Sequence, residues 1–196
     1  MNEIIIIIAL ILLNGLFSMS EIALVSARKS RLTAKAKEGN HGAQKALDLA
    51  ENPDNFLSTV QIGITLIGIL TGIFSGATLA VSFSEVLKSI GLMDVYALTL
   101  AQAVIVIIVT YLTLVFGELL PKRIGMSKAE KIAGIMSRPM IWLSKIMSPF
   151  VWILSKSTSL LFSLFGIDDE EDKVTEEEIR SIVQEGKEDG VVQPVE

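Results

Sequence analysis

Asn14, Ser18 and Glu21 interrupt an apolar run that begins at Ile4. At about 100° per helical residue they fall within an arc of roughly 60°. Three polar side chains therefore form one stripe, with Ser20 well away from it. A second apolar stretch carries Gln61, Thr65, Gly68, Gly72 and Ser75 on one narrow face. A third carries Gln102, Thr110, Thr113 and Gly117 on a common side and runs into FGELLPK, Phe116 to Lys122. Pro121 has no N–H and clashes with the carbonyl four residues back. That carbonyl belongs to Gly117, so it is expected to lose its helical partner beside Glu118. Oxygen donors without histidine or cysteine suit a hard cation such as Mg²⁺, Ca²⁺, Mn²⁺ or Na⁺. The candidate ligands are Ser18, Glu21, Gln61, Thr65, Glu118 and the Gly117 carbonyl, with Asn14, Pro121 and Lys122 in supporting positions.

Each of these signals also has a plainer reading. Glu21 and Glu118 lie near span ends, where a carboxylate can snorkel or pair with Arg28 or Lys122. Gly68, Gly72 and Gly76 make a G-x-x-x-G series, a pattern of close helix packing or dimerisation. Serines and threonines in spans commonly bond the carbonyl four residues back. The lone histidine, His41, lies in a polar segment and reads as a surface residue.

The elements that must position these groups are legible from composition. The 196-residue chain is 51% hydrophobic with a mean hydropathy of +0.56, and the apolar residues sit in blocks. That combination points to a membrane protein. Crossing the hydrocarbon takes roughly 20 mostly apolar residues as a helix. Three stretches qualify, at about 4–27, 57–81 and 97–120. The first lacks a basic lead and a cleavage site, so it reads as a retained span rather than a signal peptide. Arg28, Lys29, Arg31, Lys35, Lys37 and Lys45 follow span one, and Lys122, Arg123, Lys128, Lys131 and Arg138 follow span three. Only Lys88 lies between spans two and three. The positive-inside rule then places the N-terminus outside and the C-terminus in the cytoplasm of a multi-pass protein of the plasma or inner membrane. This topology is expected to bring Glu21, Gln61, Thr65, Gly117 and Glu118 into one layer about 10 Å from the cytoplasmic ends of the spans.

A fourth apolar region, 139–166, carries Lys145 and Lys156, and Pro149 is expected to break it. Ser137, Ser144, Ser148, Ser155 and Ser159 share one face. It reads as an amphipathic helix at the interface, the alternative being a fourth span. Residues 30–52 read as helical with a break at 39–42. The fold class is thus an all-α membrane protein of three spans, a cytoplasmic helical hairpin and a juxtamembrane helical belt over 122–166. Residues 168–172 form an acidic linker, and Thr175 with Glu178 marks the start of a short helix ending near Gly190. The chain is expected to continue from there into a soluble cytoplasmic domain. The domain division is therefore 1–167, the transmembrane part, and 168–196, the linker and short helix. No nucleophile–base pair, phosphate loop or thiolate is present, so the chain reads as a non-enzyme with no nucleic-acid partner.

NGLFSMSEIALVSARKSRL, ENPDNFLSTVQIGITLIGIL and FGELLPKRIGM, in this order and spacing, resemble the transmembrane domain of the CorC/CNNM proteins, the DUF21 domain. The resemblance covers about residues 2–167. VTEEEIRSIVQEGKEDGVV is similar to the segment leading into the paired CBS domains of that family. The resemblance implies a homodimer in membrane lipid. It also implies Mg²⁺ transport, as export driven by Na⁺ entry, with nucleotide sensed only through the CBS pair. It maps an ion site onto Ser18, residues near Gln61 to Thr65, and Gly117 with Glu118. Many relatives carry GNN-x-x-N in span two, where this chain has GITLIG, Gly63 to Gly68. The cargo could therefore be another cation, including a polyamine. Against transport stands a membrane anchor or sensor that regulates another transporter.

Overall fold

In lipid every backbone N–H and C=O must be satisfied within the segment, so long apolar runs become helices. The computed structural model describes residues 2–51, 53–91 and 93–165, and among them the regular elements are all helical. The chain divides into two compact units, Met1–Trp152 and Ile153–Glu196. Of the second, residues 153–165 are described, and all but Phe165 are helical. The linker and short helix expected over 168–196 lie outside the described residues.

Helix α1 (Asn2–Ser26) is the first span. A hairpin follows, α2 (Lys29–Lys37) and α3 (His41–Glu51). Its turn is specified locally. Gly39 adopts φ +87°, which an L side chain rarely tolerates, and closes α2 through Gly39 N–H to Ala36 O and Asn40 N–H to Lys35 O, both 3.0 Å. Asn40 then caps α3, its Oδ1 accepting from the N–H groups of Gly42 and Ala43 at 3.0 Å each. The expected break at 39–42 is where the hairpin turns.

The second span, α4 (Asp54–Phe74), continues through a π-helical turn, Ser75–Leu79, into α5 (Ala80–Ser89). The third, α6 (Asp94–Leu114), continues through a second π turn, Val115–Leu119, into α7 (Leu120–Ser127). Both helical columns run several residues past the ends expected at 81 and 120. Three stretches among the described residues are long and apolar enough to cross a membrane: Glu3–Ser26, Asp54–Phe74 and Tyr96–Ser127. Exposed Ile5, Ile8, Leu12, Leu66, Ile69, Ile73, Ile107 and Leu114 give these columns an aliphatic outer surface. At the end away from the hairpin, Lys88 pairs with Glu85 at 2.9 Å and with Asp94 at 3.6 Å, joining α5 to α6.

Helix α8 (Ala129–Leu164) passes through Pro139 and Pro149 without interruption, so the break expected at Pro149 is absent. A helix can absorb a proline by leaving one carbonyl to another donor. Within the first unit, buried Ala133, Ser137, Met140 and Val151 recur at helical spacing, with half-buried Ser144 among them. Ser137 and Ser144 thus face the protein: Ser137 Oγ donates to Gly134 O at 3.0 Å and to Gly42 O at 3.3 Å, and Ser144 Oγ donates to Thr59 Oγ1 at 3.1 Å. Trp142 and Phe150 lie on the exposed side.

A core at the hairpin end joins Leu32, Ala43, Ala46, Phe56, Val60, Ala129, Ala133 and Met140 with Phe17 and Leu24 of α1. Where it meets water, each large side chain removed from solvent is worth about 1.5–3 kcal/mol. Deeper in the spans that drive vanishes, because lipid is as apolar as leucine, and close backbone approach takes over. A Cβ at Gly15 would lie 2.9 Å from the Phe116 carbonyl and 2.9 Å from Pro121 Cγ; at Gly125 it would meet Ile22 Cγ2 and the Met19 carbonyl. These glycines let α1 pack directly on the third column.

Candidate functional site

The centre of the site is one hydrogen bond. Asn14 Nδ2 donates to the Gly117 carbonyl at 2.9 Å, and both residues are buried. The local reason lies in the second π turn. The Leu120 N–H reaches back to Val115 O, and Pro121 supplies no N–H for Gly117. The carbonyl is freed as expected, but a side chain of α1 takes it up. A Cβ at Gly117 would lie 3.2 Å from Ile11 O, 3.3 Å from Asn14 Nδ2 and 3.5 Å from Thr113 Cγ2, so only glycine admits this approach without displacement. Pro121 is buried against Gly15.

Ser18 lies one turn further along the same stripe, is 1% exposed, and its Oγ has no hydrogen-bond partner. The contrast with its neighbours is informative. Ser20 Oγ donates to Leu16 O at 2.6 Å, Thr59 to Asn55 O at 2.6 Å, Thr71 to Ile67 O at 2.8 Å and Ser75 to Gly72 O at 3.0 Å. Those hydroxyls follow the back-bonding habit of buried serine and threonine. Ser18 Oγ and Thr113 Oγ1 are the buried side-chain polar atoms without a partner among the described residues. Glu21, three residues beyond Ser18, is half-buried.

The expected single layer does not form. Gly117 packs at Asn14 and Gly125 at Met19 and Ile22, so α1 and the third column run parallel with an offset of 103 residues at the hydrogen bond. By that register Glu118 stands level with Gly15, six residues or about 9 Å from Glu21. Glu118 instead accepts from Lys122 Nζ at 2.8 Å, four residues on, and its side chain is 43% exposed. The plainer reading of Glu118 and Lys122 is therefore the one realised. Gln61 and Thr65 are exposed on α4 and do not join Asn14 and Ser18. The face of α4 in the core carries Phe56, Thr59, Val60 and Ile67, and Phe17 of α1 lies against Gly63. Gln61 and Thr65 point away because α4 turns Phe56, Val60 and Ile67 into the core, while Gly68, Gly72 and buried Ser75 of the same stripe lie toward α6.

Thr113 belongs with this site, although the sequence marks it only as one hydroxyl in a stripe. Its spacing of four residues before Gly117 is the signal that identifies it in retrospect. It also lines a groove between α4 and α6 of about 240 Å³, together with Gly68, Thr71, Gly72, Ser75 and Thr110. Among the described residues no group of three or more His, Asp or Glu side chains is placed to hold a metal. A cation beside Ser18 would meet that hydroxyl and Glu21, the nearest carboxylate along α1, while Thr113 lies on the other side of the Asn14–Gly117 hydrogen bond.

Comparison with known proteins gives the family. The family model described as the cyclin M (CNNM) transmembrane N-terminal domain matches residues 5–196. UPF0053 protein sll0260 of Synechocystis is 48% identical over 99% of this chain, and UPF0053 protein YhdT of Bacillus subtilis is 32% identical over 100% of this chain. The polyamine export protein of Escherichia coli is 33% identical over the whole chain. The chain spans less than half the length of these relatives, 43–44%. With the family model covering nearly every residue and relatives matching end to end, the chain belongs to the CNNM/UPF0053 family of multi-pass membrane proteins.

Proposed function

We propose that this chain is the membrane part of a cation exporter whose cargo is Mg²⁺, with Na⁺ entry as the driving reaction. The observation that carries the reading is Ser18 Oγ, buried and without a partner beside the Asn14–Gly117 hydrogen bond. A buried orphan hydroxyl within a span needs a reason, and an unsatisfied polar group there is expensive. An oxygen open to a passing cation is such a reason. Mg²⁺ sheds water reluctantly and commonly keeps several waters when protein-bound. A site of one hydroxyl, one carbonyl and a carboxylate a turn away suits a partly hydrated ion in transit rather than a tightly held one.

In this reading Ser18 is the first ligand and Glu21 supplies negative charge at the mouth. The hairpin end faces the cytoplasm of a cell or inner membrane, consistent with the basic residues concentrated there. The assembly is a homodimer, and nucleotide acts through the remainder of the protein. The chain itself carries out no covalent chemistry.

A second cargo has its own support. The relatives named polyamine export protein match the entire chain, and Glu118 already holds a primary alkylammonium, that of Lys122, at 2.8 Å. The test for both is efflux from liposomes holding only the purified full-length protein, with Mg²⁺ or spermidine inside. Mg²⁺ efflux that drops at least tenfold in Ser18→Ala supports the first reading. Spermidine efflux without Mg²⁺ efflux replaces it with the second. If neither moves, the protein is a non-transporting anchor or sensor for another transporter, and the proposal fails.

A further inference from the structure

We infer that the cargo occupies two successive stations in this protein, an inner one at Ser18 and an outer one at Thr113, divided by the Asn14–Gly117 hydrogen bond. The inference rests on the exporter reading above and adds a second ligand site and a route to it.

Ser18 follows Asn14 by one turn, about 6 Å along α1 toward the hairpin. Thr113 precedes Gly117 by one turn, about 6 Å along α6 in the opposite direction. Because Asn14 and Gly117 are joined at 2.9 Å, the two hydroxyls stand about 12 Å apart along the helices, one on each side of the joint. Both Oγ atoms are shielded from solvent and both are unpartnered. Thr113 is free to bond the Val109 carbonyl, as Thr71 bonds that of Ile67, yet it does not. Its methyl lies toward the same point as the Asn14 amide.

What lies beyond each station supports a route. On the hairpin side Ser18 is followed by Glu21 on the same stripe. On the far side Thr113 lines the groove of about 240 Å³ between α4 and α6, which runs on past Thr110 and Val109 to Val106. Gly68 and Gly72 form its other wall, and a Cβ at either would meet nothing within 4 Å. An ion leaving Ser18 would find the next oxygen without a partner at Thr113, and beyond it the groove between the two helices. At the joint α1 and the third column touch, so passage from one station to the other requires the Asn14 amide to release the Gly117 carbonyl.

The test compares Thr113→Val, which keeps the shape and removes the hydroxyl, with Thr113→Ser, which keeps the hydroxyl. Two readouts are taken on the full-length protein: efflux of Mg²⁺ or spermidine from liposomes, and the rise in thermal midpoint that the transported cation causes. Thr113→Val is expected to slow efflux at least tenfold while keeping more than half of the cation-induced rise, because Ser18 is intact. Thr113→Ser is expected to retain at least half of the wild-type rate. Wild-type efflux from Thr113→Val overturns the outer station and leaves the exporter reading standing. Loss of both readouts in both variants makes Thr113 a packing residue and also overturns it. Absence of efflux in the unsubstituted protein removes the exporter reading and this inference together.

Discussion

Replacing Asn14 with alanine removes the donor from a carbonyl whose usual helical donor, the N–H four residues on, is missing at Pro121. Polar contacts between helices in membranes average about 0.6 kcal/mol and reach about 1.7. Leaving a buried acceptor unsatisfied costs about 1–3 kcal/mol. Because Pro121 denies Gly117 its helical partner, the loss should fall where the two ranges meet, at about 1–2 kcal/mol. That shifts the folding equilibrium roughly five- to thirtyfold. The double variant is a sharper test. Pro121→Ala restores an N–H one turn from Gly117, so the carbonyl regains a partner within its own helix. In that background Asn14→Ala should cost about 1 kcal/mol less than it does alone. The cycle subtracts the packing that Pro121 loses against Gly15, since that loss enters both Pro121→Ala arms. Equilibrium unfolding in mixed micelles, followed by circular dichroism, measures all four proteins. Additivity within about 0.3 kcal/mol would show that the proline and the amide are independent and would refute the account of this joint.

Gly125→Ala should destabilise by about 1–3 kcal/mol, since its Cβ would meet Ile22 and the Met19 backbone, and the thermal midpoint in detergent should drop. Gly68→Ala and Gly72→Ala, facing open space, should hold or slightly raise that midpoint through helix propensity; a drop accompanied by loss of self-association would place a second copy on this face. Ser144→Ala deletes the donor to Thr59 and should cost about 0.5–1.5 kcal/mol, measured by the same unfolding; no change would mean that the serine face of α8 packs without needing its hydroxyls. At the far end, the hydrogen bond that Lys88 donates to Glu85 holds the Lys88 pKa above its usual value, partly opposed by desolvation. A raised lysine stabilises fully below its unfolded pKa of about 10.4 and loses that contribution as pH rises through the folded value. The stability difference between wild type and Lys88→Met should therefore be flat from roughly pH 6 to 9 and close only above the lysine range; a difference that closes near neutrality would assign the effect to another group.

The three spans, the hairpin with its turn at Gly39, and the weak point that Pro121 makes at Gly117 could all be read from the chain. Each depends on residues close together in sequence: an apolar run long enough for the bilayer, a glycine with positive φ before a capping asparagine, a missing N–H four residues from its acceptor. The stripe Asn14–Ser18–Glu21 was legible too, because a helix fixes the angles among its own residues. How each helix is rotated toward its neighbours, and in what register, was not. A span surrounded by lipid is apolar on every side, so hydrophobicity does not distinguish its packed face from its outer one. Only the packed bundle decided that Gln61 and Thr65 face outward, that Glu118 turns to Lys122, and that Asn14 rather than Glu21 meets Gly117. Those outcomes follow from where glycines 15, 117 and 125 allow two backbones to touch, a property of surfaces in three dimensions rather than of any spacing along the chain.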